Sequence, residues 1–464
     1  MTHSKQFVYL KQRGAVLLIS MIFIIVFSAL AVSMATLSGT NVQIADNQRK
    51  ADGARSCAES GLQVVRYWLN RVSIPGTTAQ SQRFAQTATS LRNVMAASGN
   101  TNITTSYDGS RITIPPVTLN YARQQSFSAV ITQIDADTLQ LDITGAYGSL
   151  SRTIRTNYKF GTRSHSAFDF GVASKGPLSL AGNVDLEGAN VSVEASVYIE
   201  SNNSNLALSV IGSSTIAGDV SIVNPIANVL LQGGKAGIGG ETGQAAIDHH
   251  VFLGAPPTDF PTPNPNYFRH YATNVINSTT NIPSGATFEN ARIVSGTNPT
   301  FTNQVTLKGV TFIETPNVVT FAGSATIIGI IVGDGDPEDD SGTNQIIFHG
   351  NVNSQPVTNL PNEERFADIK TETGTFVMAP GFSTSFGGNF HTLNGVIAAS
   401  GIKFYGNAGG TVNGSIINYS DEAMTLTGNS DLYFNRSGTD HVPAGFIPEI
   451  VLQYAPSSYS EVVF

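Results

Sequence analysis

From Ala15 to Leu37 the chain runs twenty-three residues without a charge, and after Arg13 the next charged side chain is Asp46. At about 1.5 Å per helical residue this stretch is roughly 35 Å long, enough to cross the hydrocarbon core of a bilayer. The flank before it carries Lys5, Lys11 and Arg13 and ends at Gly14. Positive charge on that side alone holds the N-terminal flank in the cytoplasm and sends the chain after the span to the other side. Three readings compete. One is a cleaved secretory signal with a small-x-small site at Ala29-Leu30-Ala31. Another is an uncleaved anchor. The third is a leader cut in front of the apolar helix, after Gly14, so that the helix is kept.

Two observations favour the third reading. The Arg13-Gly14-Ala15 junction abuts the apolar run directly, and helical patterning continues far beyond it. Ile44, Ala51, Ala54, Ala58, Leu62, Val65, Leu69 and Val72 recur in steps of three, four and seven, with Arg49, Lys50, Arg55, Glu59 and Arg66 between them. Pro75 and Gly76 stop the pattern. Ala15 to Val72 as one helix is 58 residues, or roughly 87 Å, half of it in lipid and half beneath a globular head.

The segments Gln12-Arg13-Gly14-Ala15-Val16-Leu17-Leu18-Ile19-Ser20, Asn47-Gln48-Arg49-Lys50-Ala51 and Cys57-Ala58-Glu59-Ser60-Gly61-Leu62 together resemble the N-terminal region of PilX-type minor pilins of type IV pilus systems. The Ala58, Glu59, Gly61, Leu62 signature is the more specific part. The resemblance covers about the first 70 residues. It implies a prepilin-type leader over 1–14, cleavage between Gly14 and Ala15 by prepilin peptidase, and methylation of the new amine. It also implies assembly with other pilins and minor pilins by the inner-membrane pilus machinery. Before assembly the chain would be a single-pass inner-membrane protein with a periplasmic body; afterwards it would belong to a pilus at the cell surface. One departure matters. Most pilins carry a glutamate at the fifth position after the cut, where this chain has Ile19. A buried N-terminal ammonium needs a counter-charge, and a carboxylate on an adjacent subunit supplies it. A subunit lacking that carboxylate is tolerated where the neighbour is missing, at the top of the stack.

After the helix, 80–97 is weakly helical, with Phe84, Leu91 and Met95. Then the period shortens to two. Phe127–Ile131, Leu139–Thr144 and Arg152–Thr156 alternate apolar with polar and are divided by Asp135-Ala136-Asp137 and Tyr147-Gly148, the pattern of an antiparallel meander with one buried face. From about Phe168 a phrase, apolar–x–Gly–Asn/Ser, recurs at Leu180, Phe321, Phe348, Phe386, Phe404 and Leu426. Positions 386, 404 and 426 lie 18 and 22 residues apart. Short strands, turn residues and a period near that length predict coils of a solenoid, a right-handed parallel β-helix, with a β-sandwich as the competing architecture. Between two such portions, near 255–266, five prolines in Pro256–Pro265 exclude a central strand or helix; this is a linker or an excursion packed over the solenoid.

The expected fold class is therefore α+β and mostly β. It comprises a leader over 1–14, a transmembrane and amphipathic helix over 15–76, a small α+β head over 77–166 and a solenoid-like body over 167–464. Charge divides in the same place. Residues 1–166 carry 16 Lys+Arg against 7 Asp+Glu, and 167–464 carry 9 against 26. A body at −17 repels phosphates, so nucleic acid is not an expected partner. Cys57 is the single cysteine, so no internal disulfide exists.

Within the body, Asp334, Asp336, Glu338 and Asp340 alternate on a turn and could hold a calcium ion, although the twelfth position from Asp334 is Gln345 and not Glu. A solvated corner is the plainer reading, and no other cofactor is expected. His249 and His250 read as a surface loop. No nucleophile elbow, phosphate-binding loop, zinc-protease helix or complete dinucleotide fingerprint is present, and no catalytic residue is assigned. The sequence reads as a non-enzymatic pilus subunit. Its alternatives are a minor pseudopilin of type II secretion or an exported β-helix enzyme that degrades polysaccharide. A surface or glycan ligand would belong to the body.

Overall fold

The computed structural model describes residues 13–202, 205–339, 342–437 and 442–462. It forms two compact units: Met1–Ile74, Thr78–Gly161 and Val451–Phe464 make the first, Pro75–Thr77 and Thr162–Ile450 the second.

In the first unit α1 (Arg13–Leu69) is one unbroken helix of 57 residues, roughly 86 Å long. It ends three residues short of the predicted Val72. It is followed by β1 (Ser73–Ile74), α2 (Arg83–Ala97), β2 (Ser106–Tyr107), β3 (Arg111–Asn120), β4 (Gln125–Gln133), β5 (Thr138–Tyr147) and β6 (Leu150–Arg163). Phe84, Leu91 and Met95 form the buried side of α2, as their spacing predicts. The meander is antiparallel, with Ile131 opposite Leu141 and Ile143 opposite Ile154, all buried on one face. One strand of this sheet comes from the far end of the chain. Glu449–Val462 lies between β1 and β6, so the body does not extend to residue 464 as the composition suggested. Pairing with a strand some 300 residues earlier leaves no local signal.

The second unit is a parallel β-solenoid with three sheets. Each coil passes from a first sheet (Val172–Ser174) to a second (Leu178–Gly182) and a third (Asp185–Gly188). The recurring phrase marks equivalent positions. In the second sheet Phe321 pairs with Phe348, Phe348 with Phe386, Phe386 with Phe404, Phe404 with Leu426, and Leu426 with Leu180. Phe301 adds a fifth ring. The five rings stack at 4.8–5.0 Å between centroids and within 11° of parallel, which is the strand spacing itself. At the corner beyond this column a Cβ on Gly428 would strike the Gly406 carbonyl, and one on Gly182 the Gly428 carbonyl. Both glycines have positive φ, +85° and +117°, so the column needs glycine for space and for backbone geometry.

The coils do not stack in chain order. In the first sheet Val251–Leu253 lies at one edge, followed by Val220–Ile222, Val197–Ile199 and Val172–Ser174; then come Ile416–Asn418, Val396–Ala399 and the earlier strands back to Asn274–Ile276 at the other edge. The solenoid thus starts in its own middle and builds to one end. It then crosses to the opposite end, about 48 Å away at ten strand spacings, and returns to close on its first coil. The prolines lie in that crossing and pack on the outside of the first sheet. The Tyr419 hydroxyl donates to the Pro261 carbonyl at 2.6 Å, the Thr258 N–H donates to the Tyr198 hydroxyl at 2.8 Å, and Phe260 sits between both tyrosines. Phe268, Val357, Leu360, Phe366 and Ile369 extend this covering layer.

Closure is polar as well as apolar. Asn418, fully buried, accepts from Gly401 N–H at 2.9 Å, and its amide donates to the Ser174 hydroxyl at 2.9 Å and to the Ser420 carbonyl at 3.1 Å. Asn418→Ala is expected to cost about 3 kcal/mol by stranding these groups. Urea unfolding of the detergent-solubilised chain, followed by far-UV circular dichroism, checks this; Asn407→Ala, on the exposed corner, should cost under about 0.5 kcal/mol.

Candidate functional site

A single helix meets two different surroundings. From Val16 to Ile44 every large apolar side chain of α1 is exposed, between 50 % and 73 %. By length and composition this helix can cross a membrane, and the most apolar window has a mean hydropathy of 3.0 with none of it buried. Three of its hydroxyls are satisfied within the helix: Ser33 donates to the Ala29 carbonyl, Thr36 to Val32 and Thr40 to Thr36. Such back-bonded hydroxyls carry no unmet hydrogen bond into an apolar medium.

Burial begins at Ala54 and continues through Cys57, Ala58, Gly61, Leu62, Val65, Trp68 and Leu69. Steps of three and four keep one stripe on the sheet. Ile44, placed on that stripe by its spacing, is 61 % exposed and belongs to the outer half instead. Trp68, only 2 % exposed, was missed because the spacing argument followed aliphatic residues.

The signature residues fall where the helix approaches β4 and β5 most closely. A Cβ on Gly145 would run into the backbone of Ala54 and Ala58, and one on Gly61 would meet the Phe127 ring at 2.6 Å. Ala58 is fully buried and Leu62 nearly so, whereas Glu59 points outward and pairs with Arg55 at 3.2 Å. A lone glycine inside an alternating strand, as Gly145 is, was the signal for close backbone approach. Of the processing residues, Lys5 and Lys11 lie outside the described residues, Arg13 and Gly14 begin the helix, and Ala15 lies within it. Ile19 is 53 % exposed in the apolar half.

The acidic run does not form a cage among the described residues. The Asp334 carboxylate accepts from Thr315 N–H at 2.7 Å and faces Arg269 at 3.9 Å; Asp336 accepts from Glu338 N–H at 3.0 Å. Asp340 lies outside the described residues. No group of three His, Cys, Asp or Glu able to hold a metal occurs among the described residues. His249 and His250 sit in the last turn of α3 (Gly243–His250), not on a loop, and pair with Glu241 at 2.8 Å and Asp219 at 2.7 Å.

The most buried charges of the body join its incoming and outgoing segments. Glu449, 4 % exposed, faces Arg163 at 2.8 Å and His165 at 3.2 Å, and the second nitrogen of His165 lies 3.1 Å from the Ile447 carbonyl. Burial pushes the Glu449 carboxyl up, but the His165 and Arg163 hydrogen bonds outweigh it and hold the group below the usual glutamate range.

Comparison with family models gives no match, and neither does comparison with curated protein sequences. Among solved structures the chain is similar to the competence-associated pilin ComZ from Thermus thermophilus. The two are 12 % identical, the alignment covers 89 % of this chain and 98 % of that one, and the TM-score is 0.24. A likeness of that size carries no argument, and the functional reading rests on the chain's own residues.

Two consequences are measurable. Gly145→Ala should lower stability by about 2–3 kcal/mol, because its methyl group meets helix backbone that no rotamer can move aside; thermal unfolding of the solubilised chain reads this. Glu449 with a depressed carboxyl contributes stability above its unfolded-state pKa, and this is lost as pH falls through the folded value. Glu449→Gln should therefore cost about 3–5 kcal/mol at neutral pH and flatten the acid limb of a stability–pH curve below about pH 4.5.

Proposed function

We propose that this chain is a minor pilin-like structural subunit of a type IV pilus, inserted through α1 at or near the tip, with its β-rich body presented for assembly initiation or adhesion. The observation that carries the reading is the division of α1. Every large apolar side chain from Val16 to Ile44 is exposed around the helix, whereas from Ala54 onward the same helix is fixed to an antiparallel sheet. A soluble exported protein gains nothing from such a rod; a subunit that waits in a bilayer and then packs its rod among those of neighbours requires it.

On this reading prepilin peptidase removes 1–14, the helix spans the inner membrane with the body in the periplasm, and the assembly machinery moves the subunit into a surface filament beside other pilins. Ile19 favours the tip, because a shaft subunit without a carboxylate there leaves its neighbour's ammonium unpaired.

N-terminal sequencing and intact mass of the mature protein should show a methylated amine on Ala15. A start at Val32 would overturn the proposal, since the rod would be gone. Immunogold labelling of filaments should place the native chain at tips and Ile19→Glu along shafts; both forms confined to tips would remove Ile19 as the determinant of position.

A further inference from the structure

The body holds a polar groove that none of the roles above uses. It crosses four neighbouring coils at the corner where the first sheet turns into the second, has a volume of about 480 Å³, and includes Gln345, Ser383, Ser400, Lys403, Glu422 and Thr425 in its lining. Register explains its form. Gln345 is paired with Ser383, while Ile347, Ser385, Lys403 and Thr425 form one row across four successive strands. The alternating partners Ile346, Thr384, Ile402 and Met424 are buried inside. Gln345, Ser383, Lys403 and Thr425 contribute from strands, while Ser400, Glu422 and the rest of the lining belong to the turns that lead into them.

Outside this lining, just past the far ends of the same strands, lies an aromatic ring. Tyr405 follows Lys403 by two residues and so faces the same side. Its ring lies across Gly387, where a Cβ would come 2.5 Å from the ring carbon bearing the hydroxyl. Its hydroxyl sits 2.8 Å from Nδ1 of His349, a coil further on. Glycine at 387 thus leaves room for the half-buried phenol ring to cross the neighbouring coil, and His349 holds its hydroxyl.

We propose that this groove binds a neutral oligosaccharide laid along the solenoid axis. Hydroxyl, amide and ammonium groups repeating at the strand spacing match the equatorial hydroxyls of successive sugar rings. The flat Tyr405 face suits the apolar C–H side of a pyranose, which a groove of polar groups alone would leave unmet. The four strand residues are held by pairing, so their part of the lining loses little conformational freedom on binding. The charge selects against acidic glycans: Lys403 is accompanied by Glu422 and Asp339 in the lining, on a body of net −17. The proposal rests on the reading of the body as the presented binding module, since it names that module's ligand.

The full chain, solubilised in detergent, is applied to an array of immobilised neutral and uronic-acid oligosaccharides, and the strongest signal is then titrated in solution by calorimetry. Binding should be confined to neutral glycans. Tyr405→Ala and Lys403→Ala should each weaken it about tenfold, the scale of one well-made contact, and Ser383→Trp, which fills the groove, should abolish it. All three positions face outward, so unchanged circular dichroism and melting separate lost binding from lost folding. Silence across the neutral glycans, binding untouched by Ser383→Trp, or preference for uronic acids overturns the proposal. So does cleavage of the titrated glycan, which would make the groove an active site. Because the measurement needs no filament, glycan binding by a chain that never enters pili would sink the subunit reading and leave the groove, and filament entry without binding would do the reverse.

Discussion

A solenoid coil can bury its apolar side only against the coils on either side of it, so register is the constraint on which the body depends. The stacked rings of Phe301, Phe321, Phe348, Phe386 and Phe404 make that constraint visible. Slipping the strand of Phe321, Phe348 or Phe386 by one residue would turn its ring outward and break two stacking contacts at once. The glycine corners sharpen it further. A side chain at Gly182 or Gly428 meets the carbonyl of the coil next to it, so a coil cannot be exchanged for a generic strand without opening the column.

The same constraint accounts for the order in which coils are laid down. Because the first coil lies mid-stack, with Val172 paired to Val197 on one side and Ile416 on the other, neither of its faces is left as an end. The segments entering and leaving the body then come together, as the Arg163–Glu449–His165 cluster records. In the first unit β6 and the C-terminal strand are likewise neighbours. The solenoid is an insertion between two adjacent strands of an antiparallel sheet, and circular stacking order is what permits both of its ends to lie side by side.

Much of this could be read from residues because it is local or repeats. The meander followed from alternation, and the second-sheet column from six occurrences of one phrase. Every residue that opens that phrase lies in the column, although irregular spacing kept a sandwich in contention. What escaped was set by partners distant in sequence. Glu449–Val462 looks like any final strand until β6 is beside it. Phe301 lacks the glycine that marked its equivalents and was found only by stacking on Phe321. The prolines at 256–265 fixed what the segment could not be, while its place over the first sheet depends on Tyr198 and Tyr419. The acidic run was legible as a turn, but Arg269 and the Thr315 amide, which occupy Asp334, come from elsewhere in the chain.

The covering layer also settles which broad face of the body is open. In the first sheet Val310, Phe312, Ile330 and Val332 point away from the interior and are nevertheless fully buried, because Phe268, Phe366 and Ile369 lie over them. Strands there are buried without a break from Gly309 to Ile313 and from Gly329 to Gly333, the mark of a sheet covered on both sides. Strands of the second sheet such as Gln345–Phe348 and Ser383–Phe386 instead alternate buried with half-exposed positions, so their outer side is left uncovered. A chain that spends its longest excursion on one face leaves the other as its flat, preorganised surface, and it is on that surface that Gly387 has been kept bare for the Tyr405 ring.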